Sequence, residues 1–360
     1  MDVHQKLPLN NTHVFFLVQN GIIGMSMLSL SNTLSPIGSG HWIIPILFGL
    51  LVTITVIGLV KFSAIFPEQH LFQVHDRLFG PLIGSILNFT WLVYFIALVY
   101  IVSDNYLALV ELLILPNRTQ FLPFVVVVIL EIFIVKGGVK SVARFCIATF
   151  FLTAWMIVFL KWGFTEGTIT HVLPVFNFTW REFWEVFKPG YSSLLGFELL
   201  LLYYPLIQQK KKTTKLVIGG VWTSIFFYVA VTFVGSMYFS QWQLENVKFP
   251  LLKLFQAVNL TFIERIDTLG ISLWVLLILS TGSLYLWGAK LAIDHFRSKE
   301  TAFHLYILGL IVILLTFIPI EEPTKLKIQQ YVFYVGYVLV ILPILCIPLA
   351  KRAKRREHNA

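Results

Sequence analysis

The chain has 360 residues, 57% of them hydrophobic and 12% charged, with a mean hydropathy of +0.81. That leaves too little polar surface to cover a water-soluble globule. Its net charge of +9 comes from short basic runs between apolar segments rather than from one amphipathic face, which sets nucleic acid aside as a partner.

The amino terminus, MDVHQKLPLNNTH, lacks the basic and apolar regions of a cleavable signal, so the first span is expected to stay in the mature protein. A lipid-exposed backbone satisfies its hydrogen bonds as helix, in spans of about 20 apolar residues. Ten such spans are predicted, over residues 14–37, 42–60, 82–102, 121–135, 145–162, 189–207, 216–239, 269–289, 303–320 and 331–350. The fourth is the shortest. They make one polytopic, all-α membrane domain over residues 1–360, followed at 351–360 by a basic tail.

Cytoplasmic loops carry the excess of Lys and Arg. With the amino terminus inside, 18 of the 27 basic residues fall on the cytoplasmic side, among them Lys6, Lys136, Lys140, the run Lys210 to Lys212, Lys290 and the carboxy-terminal group. Both termini are therefore expected in the cytoplasm. On the outer side two longer connections, 163–188 and 240–268, mix charges with Trp180, Trp184 and Trp242. They read either as interfacial helices and lids or as plain surface loops. The Asn-x-Thr triplets at Asn117, Asn177 and Asn259 are taken as accidental.

Ten spans divide into two sets of five, and many secondary transporters are inverted five-helix repeats whose first helices are interrupted at mid-membrane. The repeats are expected at about 10–163 and 185–350. Span one carries Gln19, Asn20, Gly21, Gly24 and Ser26 at bilayer depth; span six carries Ser192, Ser193, Gly196, Phe197 and Glu198. Glycines let a helix unwind and turn free N–H and C=O groups toward a solute. They equally let two helices pack closely. The matched position in both halves points to a binding site.

An acidic side chain at this depth costs roughly 3 kcal/mol on insertion scales unless it is paired, protonated or hydrated. Glu198 therefore reads as a recogniser of a ligand amine, a ligand for a coupling ion, a proton-titrating switch, or a protonated carboxyl bonded to a neighbouring helix. Glu131, close to the end of the short fourth span, reaches the interface if that boundary shifts, and Asp104 and Glu111 read as interfacial. Span three adds Tyr94 and Tyr100; span eight adds the hydroxyls of Ser280, Thr281 and Ser283 around Gly282, able to bond a solute, an ion or their own backbone. Pro205, Pro343 and Pro348 kink spans six and ten or mark helix ends.

There is no P-loop, no Gly-x-Ser-x-Gly, no His-Glu-x-x-His and no repeated Cys pair. No catalytic site, cofactor or metal is expected, and an ATP-driven pump is disfavoured. Cys146 and Cys346 both lie in apolar segments and read as small hydrophobes. His70 and His75, in the loop after span two, read as solvated rather than metal-bound.

Several stretches together resemble the B-subunit permeases of endospore nutrient germinant receptors, within the amino acid, polyamine and organocation transporter superfamily. They are Leu195-Gly196-Phe197-Glu198 with Tyr204-Pro205 and Lys210 to Lys212, then Pro250 through Leu254-Phe255-Gln256 to Phe262-Ile263-Glu264-Arg265-Ile266-Asp267. Gly137-Gly138-Val139 with Ser141 to Arg144, and Tyr334-Val335-Gly336-Tyr337 with Pro343, support them. The chain departs from the family pattern at Gly24-Met25-Ser26 and at Ser31. The resemblance implies a LeuT-like inverted-repeat fold with helices one and six broken, in the spore inner membrane. It implies an A subunit and a lipoprotein C subunit as partners, and a small germinant, commonly an amino acid, as ligand. Gly21, Gly24, Tyr94, Gly196, Phe197 and Glu198 fall where such a pocket would lie. An ion-coupled amino-acid symporter is the alternative.

Overall fold

The computed structural model describes residues 8–114, 119–176, 178–260 and 265–358. Asn117, Asn177 and the Phe262-Ile263-Glu264 stretch lie outside these residues, as does Lys6. The described chain is helix joined by short turns, with one single-residue bridge pairing Leu9 with Ile207.

The first span is broken: α1 (Asn11–Ile22) and α2 (Ser26–Leu34) meet at an angle of 51°. After a 3₁₀ turn come α3 (Ile44–Ser63) and α4 (Leu71–Leu113). Gly80, with φ +77°, and Pro81 divide α4 into a short arm and a membrane-length helix, because glycine tolerates that backbone and proline removes a helix donor. Then follow α5 (Phe121–Lys136), α6 (Val139–Thr153) and α7 (Leu160–Glu166).

The sixth span is broken too. The helix α8 (Trp180–Ser192) stops at a turn over residues 193–196, and a 3₁₀ segment, α9 (Leu200–Tyr203) and a further 3₁₀ turn at Pro205 complete it. The remainder is α10 (Thr213–Tyr238), α11 (Gln241–Asn246), α12 (Pro250–Gln256), α13 (Ile266–Arg297), α14 (Phe303–Leu315), α15 (Glu322–Leu345) and α16 (Ile347–His358).

Six of these helical stretches are long and apolar enough to cross a bilayer, and the bent α1–α2 pair is a seventh. The other three predicted spans correspond to α5, α14 and the interrupted α8–α9 segment, which are shorter. Leu82, Phe133 and Phe151 stand about two-thirds or more exposed on outer faces, as side chains do where the surrounding solvent is lipid. The central helix is α13, most of whose apolar stretch is buried. It packs on α4, α5 and α6 and also touches α1.

Several expectations need correction. Span six does not begin at Pro189: α8 starts nine residues earlier, at Trp180, where Thr179 and Glu182 form a reciprocal cap, and Pro189 sits inside it. Of the two readings left open for the two longer connections, the helical one holds, since they carry helices α8, α11 and α12. His70 and His75 are buried rather than solvated, and a ring nitrogen of His75 lies 2.8 Å from Asn88 Oδ1. The arm of α4 folds back on its own span, so close that a Cβ at Gly84 would meet Asp76 at 2.5 Å. Asp104 is buried and ion-paired with Lys325 of α15. Pro343 is inside α15, whereas Pro348 opens α16, so only the second marks a helix end.

Candidate ligand site at the junction of two broken helices

Where α1 stops, its last carbonyls lose their helical donors. Hydroxyls on other spans replace them. Thr281 Oγ1 on α13 lies 3.1 Å from the Asn20 carbonyl and 3.3 Å from that of Ile23. Tyr228 on α10 places its hydroxyl 3.1 Å from the Ile22 carbonyl and 3.0 Å from Ser193 O, across the break of the sixth span. Ser26 joins the same group, 3.1 Å from the Tyr228 hydroxyl and 3.2 Å from Ser193 O. Asn20 is buried beneath it, with its amide nitrogen 3.1 Å from the Cys146 carbonyl and its Oδ1 3.2 Å from Ser280 Oγ.

The two breaks touch directly. A Cβ at Gly21 would lie 3.0 Å from the Gly196 carbonyl oxygen, and one at Gly196 would lie 2.0 Å from that of Gly21. Gly196 has φ +127°, which side chains rarely adopt. Glycine is required there twice over, by conformation and by space. Gly24 differs: nothing lies within 4 Å of the position its Cβ would take.

Glu198 is fully buried two residues beyond this contact. Its Oε1 accepts from the Tyr94 hydroxyl at 3.1 Å, and its Oε2 accepts from the Gly196 backbone N–H at 2.6 Å. Tyr285 of α13 faces the same carboxyl. The carboxyl thus serves as a cap for the restarted helix, supplying an acceptor to a donor the break sets free. Span ten closes on it as well, since a Cβ at Gly336 of α15 would lie 2.8 Å from the Tyr94 hydroxyl.

The residues singled out from the sequence separate into two groups. Gly21, Ser26, Tyr94, Ser193, Gly196, Glu198, Ser280 and Thr281 converge on the junction, with Gly24 at the break itself. Ser192 turns its hydroxyl back to Pro189 O at 2.7 Å and lines a cavity between α8 and α15 instead, while Phe197 is fully buried. Sequence reasoning missed Tyr228 and Tyr285. Both are hydroxyl-bearing side chains in the middle of apolar spans, which was the available signal.

Cavities flank the junction. On the side of Lys136, Lys140 and Lys290 is one of about 700 Å³, bounded also by His70, Pro205 and Trp287. On the opposite side, between α8 and α15, is one of about 420 Å³ lined by Trp184, Lys188, Ser192, Tyr334 and Tyr337. Gly21, Gly196 and Glu198 line neither; the paired backbones lie between them. Among the described residues no group of three or more His, Cys, Asp or Glu is placed to hold a metal ion.

A model of the spore germination protein family matches residues 8–325. The chain belongs to that family. Among characterised relatives, the spore germination protein GerQB of Bacillus cereus is 24% identical over 348 residues, covering 96% of each chain. Spore germination protein B2 of Bacillus subtilis (strain 168) is 25% identical over 257 residues, 70% of this chain and 69% of the relative. Spore germination protein A2 of the same organism is 22% identical over 350 residues, 94% of this chain and 93% of its own. A crystal structure of MhsT in complex with L-phenylalanine shares the fold, with a TM-score of 0.66 and 16% identity over 94% of this chain and 88% of the other. The family and the LeuT-type fold expected from the residues are both borne out.

Proposed function

We propose that this chain is the membrane-embedded, ligand-binding subunit of a nutrient germinant receptor, acting as a receptor rather than an enzyme. The observation that carries the reading is the junction itself. Two half-helices end at the same depth, their backbones meet at Gly21 and Gly196, and hydroxyls from α10 and α13 hold the carbonyls that the breaks release. Gly24, Ser26, Tyr94, Ser193, Gly196, Glu198, Ser280 and Thr281 surround the ligand, with Ser192 on its outer approach and Phe197 behind it. The ligand is a small polar nutrient, for which an amino acid is the first candidate.

Membership of the spore germination family supports placement in the spore inner membrane beside an A subunit and a C-subunit lipoprotein. The excess of Lys and Arg on one side supports both termini in the cytoplasm. A broken helix at the start of each half supports two repeats, at about 10–163 and 185–350. Binding shifts the balance between two packings of the junction, and only a ligand with different affinity for the two can do so.

The test is a germination assay with a panel of amino acids, sugars and nucleosides, on spores carrying Glu198→Gln or Gly24→Ala at verified abundance. Loss or altered nutrient preference is expected; unchanged responses in both variants remove the site. The shared fold with a transporter supports a second reading, an ion-coupled amino-acid symporter. Sustained uptake of a panel amino acid into reconstituted vesicles would establish it, and the receptor reading expects none.

A further inference from the structure

A second carboxyl lies wholly outside the junction. Glu131, on α5, is fully buried although it stands five residues from that helix's end. It meets the middle of α13, where a Cβ at Gly282 would sit only 1.8 Å from its Oε1. The absence of a side chain at Gly282 is what makes room for the carboxyl. From α4, Ser103 Oγ donates to Oε1 at 3.3 Å. Oε2 has no hydrogen-bond partner among the described residues, and neither has the buried hydroxyl of Ser283.

Among the described residues no positive charge compensates this group. The helices packed on α5 are α4, α6, α13 and α14. Among the described residues they bring Glu131 a hydroxyl and apolar groups, and no charged side chain of theirs acts on it. At the adjoining ends of α13 and α14, Asp294 is held by His304 at 2.6 Å and ion-paired with Lys290 on its own helix. On α5 itself, Lys136 lines the large cavity. That cavity also reaches Val135, one helical turn from Glu131 on the same face, so water-borne protons have a short approach.

We propose that Glu131 is a second functional site, a proton-binding carboxyl seated on the Gly282 backbone, whose proton loss pushes α13 off α5 and loosens the hold of Ser280 and Thr281 on α1. Oε2 is the atom that takes and releases the proton. An ionised carboxyl has no counter-charge in this seat, so ionisation forces either the side chain or α13 to move. Thr281 immediately precedes Gly282, and a shift of α13 at the seat therefore reaches the Asn20 and Ile23 carbonyls within one residue. The coupling to ligand response rests on the receptor reading; the proton site does not.

The proton is read by infrared spectroscopy of the purified full-length chain in nanodiscs, without ligand. A carboxylic-acid carbonyl band that shifts on deuteration is expected in the native chain and in Glu198→Gln, and its loss is expected in Glu131→Gln. Superimposable native and Glu131→Gln spectra overturn the site. The seat is read by melting temperature: Gly282→Ala lowers it, and adding Glu131→Ala to that variant restores it. Lack of restoration overturns the contact. The coupling is read in spores carrying Glu131→Gln, tested with the nutrient panel from low to high pH, where a flattened pH response is expected. A pH profile identical to that of native spores overturns the coupling. Native spores answering no nutrient at any pH would instead remove the receptor reading, leaving the infrared result standing.

Discussion

Glu198 and Glu131 are both acidic, both fully buried and both set in membrane-spanning segments, yet their surroundings differ in one decisive respect. Glu198 receives the Tyr94 hydroxyl on one oxygen and the Gly196 N–H on the other, and the Tyr285 side chain faces the same carboxyl. Glu131 receives one donor, from Ser103, and among the described residues its other oxygen is bare. A carboxyl that is matched atom for atom holds its surroundings in place, whereas one left half-matched is free to exchange a proton. Burial alone does not reveal what an intramembrane acid is for; the count of donors around it does.

The contrast can be broken by mutation, and the effects rank. Gly196→Ala is the most damaging, because backbone strain and overpacking each cost about 1–3 kcal/mol. It is expected to lower the yield of folded protein sharply, with the residual fraction melting well below the native chain in detergent. Glu198→Gln comes next, since an amide offers one acceptor to two buried donors and leaving one unmet costs about 1–3 kcal/mol. Tyr94→Phe removes a single donor while Gly196 still caps the carboxyl, and a loss of about 1 kcal/mol in thermal unfolding is expected.

Glu131→Gln should cost less than Glu198→Gln, because the amide oxygen still accepts from Ser103 and no protein donor loses its acceptor, leaving only the amide's own N–H groups to be accommodated. If it destabilises as much as Glu198→Gln, the distinction between the two carboxyls dissolves. Gly24→Ala should leave stability unchanged or raise it by up to about 1 kcal/mol, since the methyl enters open space and stiffens the unfolded chain. Its effect on nutrient response is then attributable to the ligand rather than to folding.

Much of the fold could be read from the sequence, since apolar runs and their basic punctuation locate the spans and glycines beside polar residues locate both breaks. What was hidden depends on partners far away in the chain. The fully buried state of Glu131 is decided by Gly282, 151 positions later, and no local pattern contains that contact. Tyr228 reads as one aromatic among many in its span until the broken ends of α1 and α8 are brought to it. His75 is buried because Gly80 and Pro81 turn the arm back onto Asn88. The early start of α8 is a different case, because the Thr179-x-x-Glu182 cap that fixes it is a local pattern within the chain.

At the contact between Gly21 and Gly196 there is no side chain on either face, so nothing there can swing aside by changing rotamer. Parting that contact means separating the main chains themselves, which moves whole half-helices together with the spans bonded to them. Opening there is accordingly a collective displacement, and whatever restrains either half-helix at its far end restrains the opening.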